Sequence, residues 1–388
     1  MLKKLAIITT HPIQYNAPLF QDLAKRFQIK VFYTWGQTSN RSVHDPDFGK
    51  TIEWDIPLLE GYEYQFLENE ATKPGSGHFW GIVSKNLISI LKDWRPNAIL
   101  VYGWCFHSHL QVLRYFKGKM PIIFRGDSTL LNESAGFSLK KLARRLFLRW
   151  VYSHVDYAFY TGKANKDYFI EHGLKEDQLK LAPHAVDNDR FSKEGIERDS
   201  LAQKWRRQLG INDHEVVFLF AGKLEPKKDP IILLRAFQKL NQKDIRLVFA
   251  GHGVLESKLK SLADGNSQVV FLPFQNQQIM PILYRLANVF VLPSKGPGET
   301  WGLAINETMA CSKPAIVSDR CGCAPDLIIP GVTGYIFKAG DQQDLLRKVQ
   351  ACLNKQQLHK MGVDAKHHIA NFSFERFSSS LNDILTTL

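Results

Sequence analysis

The chain has 388 residues, 44% of them hydrophobic, with 50 Lys and Arg against 38 Asp and Glu and a formal net charge of +12. This length exceeds one ordinary core, so two globular domains are expected, and the apolar runs all fall short of the ~18 residues that a membrane-spanning helix needs. The five cysteines are odd in number and scattered, which argues against a disulfide framework and suits the cytosol, while the positive charge predicts a partner that carries phosphate in some form.

The first half of the sequence alternates apolar runs with helical patterns. Its N-terminal apolar run, at 5–8, is too short for a signal peptide and has no small-residue cleavage site after it, so it predicts a first β-strand. The predicted strands are 4–10, 29–35, 98–103, 121–127, 157–161 and 179–182, and the predicted helices include 18–27, 83–94 and 163–172.

The segment 139–152 predicts a basic amphipathic helix. Leu139, Leu142, Leu146 and Trp150 fall on one face, and five Lys or Arg residues fall outside it. Such a helix can lie on an anionic membrane surface. It can equally pack its apolar face on its own domain and present a solvated basic face, and the sequence leaves both interpretations open.

The second half repeats the alternation after a polar seam at 192–215. Its predicted strands are 216–222, 246–251, 269–274, 288–294, 314–319 and 334–337. Strands alternating with helices predict an α/β fold with two doubly wound parallel-sheet domains. We expect domains at 1–192 and 193–370, facing across a cleft, and a C-terminal helix in 371–388 that packs on either domain, including back on the first.

Two carboxylates near one predicted strand end are the most informative feature. Glu299 lies in the loop after strand 288–294, and Glu307 lies about one turn into the helix that follows. Glu307 is the only charged residue between Trp301 and Ser312, and a lone carboxylate in an apolar helix is costly to bury unless something binds it. Ligands of open α/β sheets bind at such strand ends.

The loop after strand 216–222 supplies a candidate anion site. Gly222 permits a ligand to approach closely, and Lys223 and Lys228 can converge on one diphosphate. For two lysines alone a solvated basic turn is the more common explanation. Phe274, in the loop FLPFQNQQ, lies where the backbone could contact a nucleobase edge, although an ordinary loop explains the segment as well.

The second half of the chain contains, in this order, the segments around Gly222, Lys228, AGHG, FLPF, LANVFVLPS, Glu299, Glu307 and GVTGYIFKAGD. Together these segments resemble the C-terminal domain of family 4 glycosyltransferases of the GT-B fold. The resemblance is strongest over the last half of the chain and extends upstream through 179–191. It implies two Rossmann-like domains and transfer of a sugar, with retained anomeric configuration, from a nucleoside diphosphate to a saccharide or lipid-linked acceptor. It also suggests a role in cell-surface polysaccharide synthesis.

The resemblance implies roles for these residues. Glu307 would accept hydrogen bonds from ribose hydroxyls, Glu299 would lie near the donor sugar, and Lys223 and Lys228 would hold the diphosphate. Lys223 stands where the family usually has Arg, so it keeps the charge and loses the bidentate geometry. Backbone amides of Thr300, Trp301, Gly302 and Leu303, at a helix N-terminus, would face phosphate or sugar oxygens.

In the first domain the chain departs from the family pattern. His11 and Pro12 stand where relatives often have a glycine-rich turn. His11 and Gln14 could contact phosphate or acceptor, or serve in capping or loop packing. Arg125 and Asp127 stand where relatives carry a sugar-contacting His. Asp127 is the candidate for a sugar hydroxyl contact or a proton acceptor, and an Arg125–Asp127 structural pair is the alternative. His184 stands where relatives commonly carry Asn; it could line the cleft, and packing within the turn is the alternative.

No cofactor beyond the donor substrate is expected, and we expect no metal. Asp45–Asp47 and Asp187–Asp189 spell D-x-D, yet both fall in predicted turns, where Asp serves the backbone. No nucleic-acid-binding module is recognised. The alternatives are a phosphorylase or sugar-nucleotide epimerase of the same architecture and a two-domain sugar-binding protein. We expect the enzyme in the cytoplasm, with segment 139–152 as a possible peripheral contact to the inner membrane face.

Overall fold

The computed structural model describes residues 3–36, 43–45, 50–133, 136, 138–193 and 196–387. Within these, Met1–Val43, Pro57–His184 and Phe374–Leu388 form one compact unit, called unit 1, and His44–Ile56 with Ala185–Ser373 form a second, unit 2. We expected the boundary between the domains after residue 192, and in the structure unit 2 begins after His184. The short segment 44–56 joins unit 2 although the sequence on both sides of it belongs to unit 1.

Strands and helices alternate along the first half of the chain. They are β1 Lys4–Thr9, α1 Ala17–Ala24, β2 Gln28–Tyr33, β3 Val43–Asp45, β4 Lys50–Ile52, β5 Glu63–Phe66, α2 Leu87–Trp94, β6 Ala98–Tyr102, α3 His107–Phe116, β7 Ile122–Arg125, α4 Leu139–Tyr152, β8 Tyr157–Tyr160, α5 Lys163–Glu171 and β9 Leu179–Leu181.

The second half continues the same pattern. It contains α6 Asn188–Ser192, α7 Ile196–Gln208, β10 Val216–Ala221, α8 Pro230–Lys239, β11 Ile245–Ala250, α9 Glu256–Leu262, β12 Val269–Leu272, α10 Met280–Leu286, β13 Val289–Leu292, α11 Leu303–Ala310, β14 Ala315–Ser318, α12 Ala324–Leu327, β15 Gly334–Phe337, α13 Gln342–Ala351, α14 Lys355–Ile369 and α15 Phe374–Thr386.

Each unit is built on a parallel sheet. In the described part of unit 1 seven strands lie in the order β5-β2-β1-β6-β7-β8-β9, and in unit 2 six lie in the order β12-β11-β10-β13-β14-β15. The strand pairs are parallel, for example β1 with β6 and β10 with β13. The prediction of an α/β fold with parallel sheets is confirmed.

Both faces of the unit 1 sheet are covered, as the four consecutive apolar residues of its central strand β1 show. In β1, Leu5 and Ile7 pack into one buried cluster, and Ala6 and Ile8 pack into the cluster on the opposite face. A parallel strand with helices on both faces has this continuous apolar pattern. Strand β5 was not predicted, since EYQF at the sheet edge mixes polar and apolar residues without a run.

Helix α15 packs within unit 1, against residues that are distant from it in sequence. Phe377, Leu381, Ile384 and Leu385 are buried among residues of β1, β2 and α1. Arg26 donates two hydrogen bonds of 3.0 Å to the carboxylate of Glu375, and the Ser380 hydroxyl donates to the Leu181 carbonyl at 2.5 Å. These contacts account for the inclusion of α15 in unit 1.

Most predicted strands are shorter in the structure than in the sequence pattern, and in two cases this moves a candidate site residue into a loop. β7 ends at Arg125, so Asp127 lies in the following loop, and β12 ends at Leu272, so Phe274 also lies in a loop. Asp187 caps α6 by accepting from the Arg190 backbone NH at 2.9 Å, which is an ordinary turn role for one D-x-D. In the other D-x-D segment, Asp45–Asp47, residues 46 and 47 lie outside the described residues.

Candidate active site

The candidate site of unit 2 begins where two neighbouring strands end. Strands β10 and β13 are paired, so the loops that follow them start side by side. The Lys295 backbone NH donates to the Lys227 carbonyl at 2.9 Å, which ties the two loops together. The fold therefore brings the loop with Lys223 and Lys228 against the loop with Glu299, as parallel topology requires.

Glu299 is a buried carboxylate with two defined partners. Its side chain is 9% exposed, and its Oε2 accepts both from the Lys228 ammonium, in a short ion pair, and from the Ser294 hydroxyl at 2.8 Å. The Glu299 carbonyl also accepts from the Gly322 NH at 3.1 Å. A carboxylate removed from water needs such charge-assisted bonds, so the pair fixes the direction of both side chains.

The loop after β10 presents its two predicted lysines differently. Lys228 keeps 20% of its side chain exposed while it contacts Glu299, so its ammonium has room for a further acceptor. Lys223 lies half-buried at the start of the same loop. Beside it, Gly222 has a φ of +152°, and a Cβ at this position would meet no atom within 4 Å, so the space above its backbone is open.

The N-terminus of α11 depends on Gly302. This glycine has a φ of +106°, and a Cβ there would approach Leu292 Cδ2 to 2.8 Å, so both the backbone conformation and the packing exclude a side chain. Thr300, Trp301 and Leu303 surround it. The Trp301 indole is buried and donates to Asn306 Oδ1 at 2.8 Å, which leaves the backbone of this segment as the part that can contact a ligand.

Glu307 is held by a tyrosine that the sequence analysis did not identify. The hydroxyl of Tyr284, a buried residue of α10, donates to Glu307 Oε2 at 2.6 Å. Burial raises the pKa of Glu307 from 4.5 to about 7, while the Tyr284 hydrogen bond and the nearby Arg190 guanidinium act to lower it. At neutral pH this carboxyl is therefore poised between its protonated and ionised forms.

Three functional candidates were missed because their surroundings read as ordinary core or turn. Tyr284 sits in the apolar helix segment ILYRLA, Ser294 ends an apolar strand, and Arg190 lies in a polar turn. Arg190 donates to the Gln277 carbonyl at 2.7 Å and to its side-chain oxygen at 2.8 Å. Only the position of Ser294 at a strand end, five residues before Glu299, was a usable sequence signal.

Phe274 lies in the loop after β12 and is half-buried. Its ring packs edge-on against Trp54, with 6.3 Å between ring centroids. The same loop contains Gln277, whose guanidinium partner Arg190 influences the pKa of Glu307. The predicted nucleobase loop and the predicted ribose carboxylate thus lie close to one arginine.

In unit 1 a second group of predicted residues comes together at the ends of β7 and β9. His184 Nε2 lies 3.8 Å from Asp127 Oδ2, and the Asp127 side chain is 50% exposed. The Tyr15 ring packs edge-on against His184, with 6.3 Å between centroids, and burial raises the Tyr15 pKa to about 12. An accessible carboxylate beside an imidazole can accept a hydroxyl hydrogen bond.

Other predicted residues of unit 1 have structural partners. The buried Arg125 guanidinium donates to the carbonyls of Ala182 at 2.6 Å and Pro183 at 3.3 Å, which accounts for its position. His11 Nδ1 lies 2.9 Å from the Thr10 hydroxyl, its ring packs against Trp35, and burial lowers its pKa. Gln14 lies half-buried in the turn before α1.

Helix α4 leaves its predicted apolar face uncovered. Leu139, Leu142, Leu146 and Trp150 are 77%, 43%, 57% and 42% exposed, whereas Leu148, Val151 and Tyr152 form the buried side. Arg144 and Arg145 pair with Glu133 at 3.0 Å and Glu171 at 2.5 Å. The helix thus packs on unit 1 through a different face from the predicted one, and the predicted apolar face stays largely exposed.

The described residues contain no group of three or more His, Cys, Asp or Glu side chains arranged to hold a metal ion. Among the helices described, none combines the length and the apolar character needed to cross a bilayer.

Residues 202–368 match the family model described as glycosyl transferases group 1. Over 227 residues the chain is 31% identical to a D-inositol 3-phosphate glycosyltransferase of Geodermatophilus obscurus, covering 55% of this chain and 48% of the relative. It is 29% identical over 188 residues to the putative glycosyltransferase EpsD of Bacillus subtilis, covering 47% and 48%. The alignments thus span about half the length of these curated relatives.

Solved structures match the whole chain. Anabaena Alr3699/HepE, in complex with UDP and glucose, superposes with a TM-score of 0.72 at 19% identity, covering 100% of both chains. Sucrose-phosphate synthase from Thermosynechococcus elongatus gives a TM-score of 0.72 at 16% identity, covering 99% and 98%. The predicted fold is confirmed, since the chain has the GT-B fold of these structures, and its residues 202–368 are similar to the group 1 glycosyl transferases.

Proposed function

We propose that the protein transfers a sugar from a nucleoside diphosphate to a saccharide or lipid-linked acceptor. The observation that carries the proposal is the Lys228–Glu299 ion pair at the adjoining ends of β10 and β13, within the segment that matches the family model. Relatives of this segment are named glycosyltransferases, and one structural neighbour was solved with UDP and glucose.

Unit 2 would bind the donor. Lys228 and Lys223 would contact the diphosphate, with the open backbone at Gly222 and the amides at 300–303 completing the cradle. Glu307 would accept from the ribose hydroxyls, and Glu299 would face the sugar. The Lys228 ammonium has three donors, so it can keep Glu299 as one partner while it donates to a phosphate oxygen.

The chemistry follows from the leaving group. As the glycosidic bond breaks, negative charge accumulates on the nucleoside diphosphate, and preorganised cations lower the barrier by about 3–4 kcal/mol for one well-placed donor. Glu299 would stabilise positive charge that develops at the anomeric carbon. We assign the charge on the leaving group to the lysines and propose retention of configuration, with the departing phosphate assisting deprotonation of the acceptor.

Unit 1 would bind the acceptor. Asp127 is the accessible carboxylate of the group that includes His184 and Tyr15, so it is the proposed hydroxyl contact. His11 and Gln14 would contribute from the turn after β1. Arg125 would act indirectly. Its guanidinium donates to the carbonyls of Ala182 and Pro183, so it would hold this part of the main chain in position.

We further propose that α4 rests on an anionic membrane, which fits a role in cell-surface polysaccharide synthesis on a lipid-linked acceptor. The support is the exposed apolar face of α4 together with its Lys and Arg residues. Replacing Leu142 and Leu146 by Ser should reduce sedimentation with phosphatidylglycerol vesicles. Leu262→Ser, on the similarly exposed Leu262 of α9, should leave sedimentation unchanged, and equal loss in both variants would contradict the proposal.

The transfer proposal is tested by release of nucleoside diphosphate from a panel of sugar donors, with and without glycan or lipid acceptors. Lys228→Ala and Glu307→Ala should lose turnover and remain folded. Lys260→Ala removes a comparable ion pair, with Glu256 at 2.7 Å, from α9 outside the site and should retain turnover. Wild-type rates in Lys228→Ala and Glu307→Ala would overturn the assignment.

A further inference from the structure

A short segment from the first half of the sequence is built into the candidate donor unit. Residues 53–56, here called the strap, lie between β4 and the return of the chain to unit 1 at Pro57, and they belong to unit 2. They lie against the loop 274–278 that follows β12. The two segments are more than 200 residues apart in sequence, so the contact arises only from the fold.

The polar contacts of the strap fix the main chain of this loop. Asn276 donates its side-chain amide to the Glu53 carbonyl at 2.6 Å. The backbone NH of Gln278 lies 3.1 and 3.2 Å from the two carboxylate oxygens of Asp55, and its side-chain amide donates to the Asp55 carbonyl at 2.5 Å. Bonds of this kind to charged and backbone acceptors hold a loop in one conformation.

Trp54 adds an aromatic contact between these two anchors. Its ring meets Phe274 edge-on, at 6.3 Å between centroids and an interplanar angle of 64°. Such pairs prefer this T-shaped geometry, and the contact fixes the ring as well as the backbone of Phe274.

The same loop is linked through Arg190 to the carboxyl assigned to ribose. Arg190 donates to both the carbonyl and the side chain of Gln277, and the same guanidinium acts electrostatically on Tyr284 and Glu307. The loop therefore contacts the strap directly and is connected to the Tyr284–Glu307 pair through Arg190. A base attached to a ribose held by Glu307 has this loop as its neighbour.

We propose that the strap, through Trp54 and Asp55, determines which nucleobase the donor site accepts. The inference rests on the proposed function, because it needs a nucleotide with its ribose at Glu307. A site discriminates between bases when its hydrogen-bonding groups are held in place, since the wrong base then leaves buried polar groups unpaired. Without the strap, the loop 274–278 would be free to adapt to several bases and would lose selectivity.

The test measures dissociation constants of UDP, GDP, ADP and inorganic pyrophosphate by calorimetry, using the full chain. The wild-type chain should favour one nucleoside diphosphate. Trp54→Ala and Gln278→Ala should reduce the ratio between the best and second-best nucleotide by about tenfold or more, while affinity for pyrophosphate stays within about twofold. Trp54→Phe should restore the ratio.

Matched controls separate the strap from general effects. Trp80→Ala removes a tryptophan that is 61% exposed in unit 1, and Gln238→Ala removes an amide of α8, outside the loop, that donates to the Leu262 carbonyl at 2.8 Å. Both should keep the wild-type ratio. Gln278→Ala leaves the aromatic contact intact, so it decides the question if Trp54→Ala unfolds.

An unchanged ratio in Gln278→Ala and in folded Trp54→Ala would overturn the inference, as would a wild-type chain that binds the three nucleotides equally. A wild-type chain that binds none of them would refute the donor assignment itself. Loss of all nucleotide binding in the variants alone would assign the strap to loop folding and not to base selection.

Discussion

Replacing Glu307 by Gln should make the protein more stable at pH 8 than the wild type, with the gain disappearing as the pH falls. Burial raises the pKa of Glu307 from 4.5 to about 7. A raised pKa means that ionisation costs more in the folded state than in the unfolded state. This cost is absent below the unfolded pKa, grows as the pH rises, and is complete above the folded pKa.

The size of the effect follows from the pKa. The full difference between 4.5 and about 7 corresponds to about 3 kcal/mol, of which about 2 kcal/mol develops between pH 5 and pH 8. Gln retains an acceptor for the Tyr284 hydroxyl, and its own packing cost is independent of pH and cancels in the comparison. Unfolding a chain of 388 residues releases about 0.8 kcal/mol/K of entropy, so the advantage of Glu307→Gln in thermal midpoint should grow by roughly 2–3 °C from pH 5 to pH 8.

The assay is thermal unfolding of both proteins across this pH range, with Glu256→Gln as the control. Hydrogen bonds from Lys260 and His252 lower the pKa of Glu256, so that substitution should act with the opposite sign and cost most at pH 8. A difference between Glu307→Gln and the wild type that does not vary with pH would refute the argument about burial.

The remaining predictions concern single contacts of the same unit. Lys228→Ala should lower kcat/KM by about 100-fold or more, because the charge on the leaving group is no longer stabilised. Lys260→Ala should leave kcat/KM unchanged. Equal kcat/KM values in the two variants would contradict the role of Lys228. Tyr284→Phe removes the hydrogen bond that lowers the Glu307 pKa, so the pH at which UDP-glucose binding reaches its plateau should move upward, and an unmoved calorimetric profile would count against the pair. Gly302→Ala should lower the unfolding free energy by about 1–3 kcal/mol more than Gly298→Ala does. Both glycines have a positive φ, but of the two only Gly302 lacks room for a Cβ. Equal losses of unfolding free energy in denaturant titrations would contradict this.

The fold and the chemical groups of the site were largely accessible from the sequence. Apolar runs that alternate with helical patterns predicted the parallel sheets, and the position of Glu299 and Lys228 after two such runs predicted that they serve one site. Their direct contact was not predicted, because it depends on β10 and β13 being neighbours in the sheet order.

Long-range contacts explain what the sequence could not indicate. Tyr284 reads as a core residue of an apolar helix, and only its position opposite α11 brings its hydroxyl to Glu307. The strap gave no signal, since its partners lie in the other half of the chain. For Trp301, the sequence predicted a place in the site but not the burial of its indole against Asn306.

The central claim is that unit 2 holds a nucleoside diphosphate between its two lysines and its two glutamates. A crystal structure of the protein with UDP or GDP tests it most directly. The account predicts phosphate oxygens within hydrogen-bonding distance of the Lys228 and Lys223 ammonium groups and ribose hydroxyls on the Glu307 carboxylate. A nucleotide bound with its ribose and phosphates away from these side chains would contradict it.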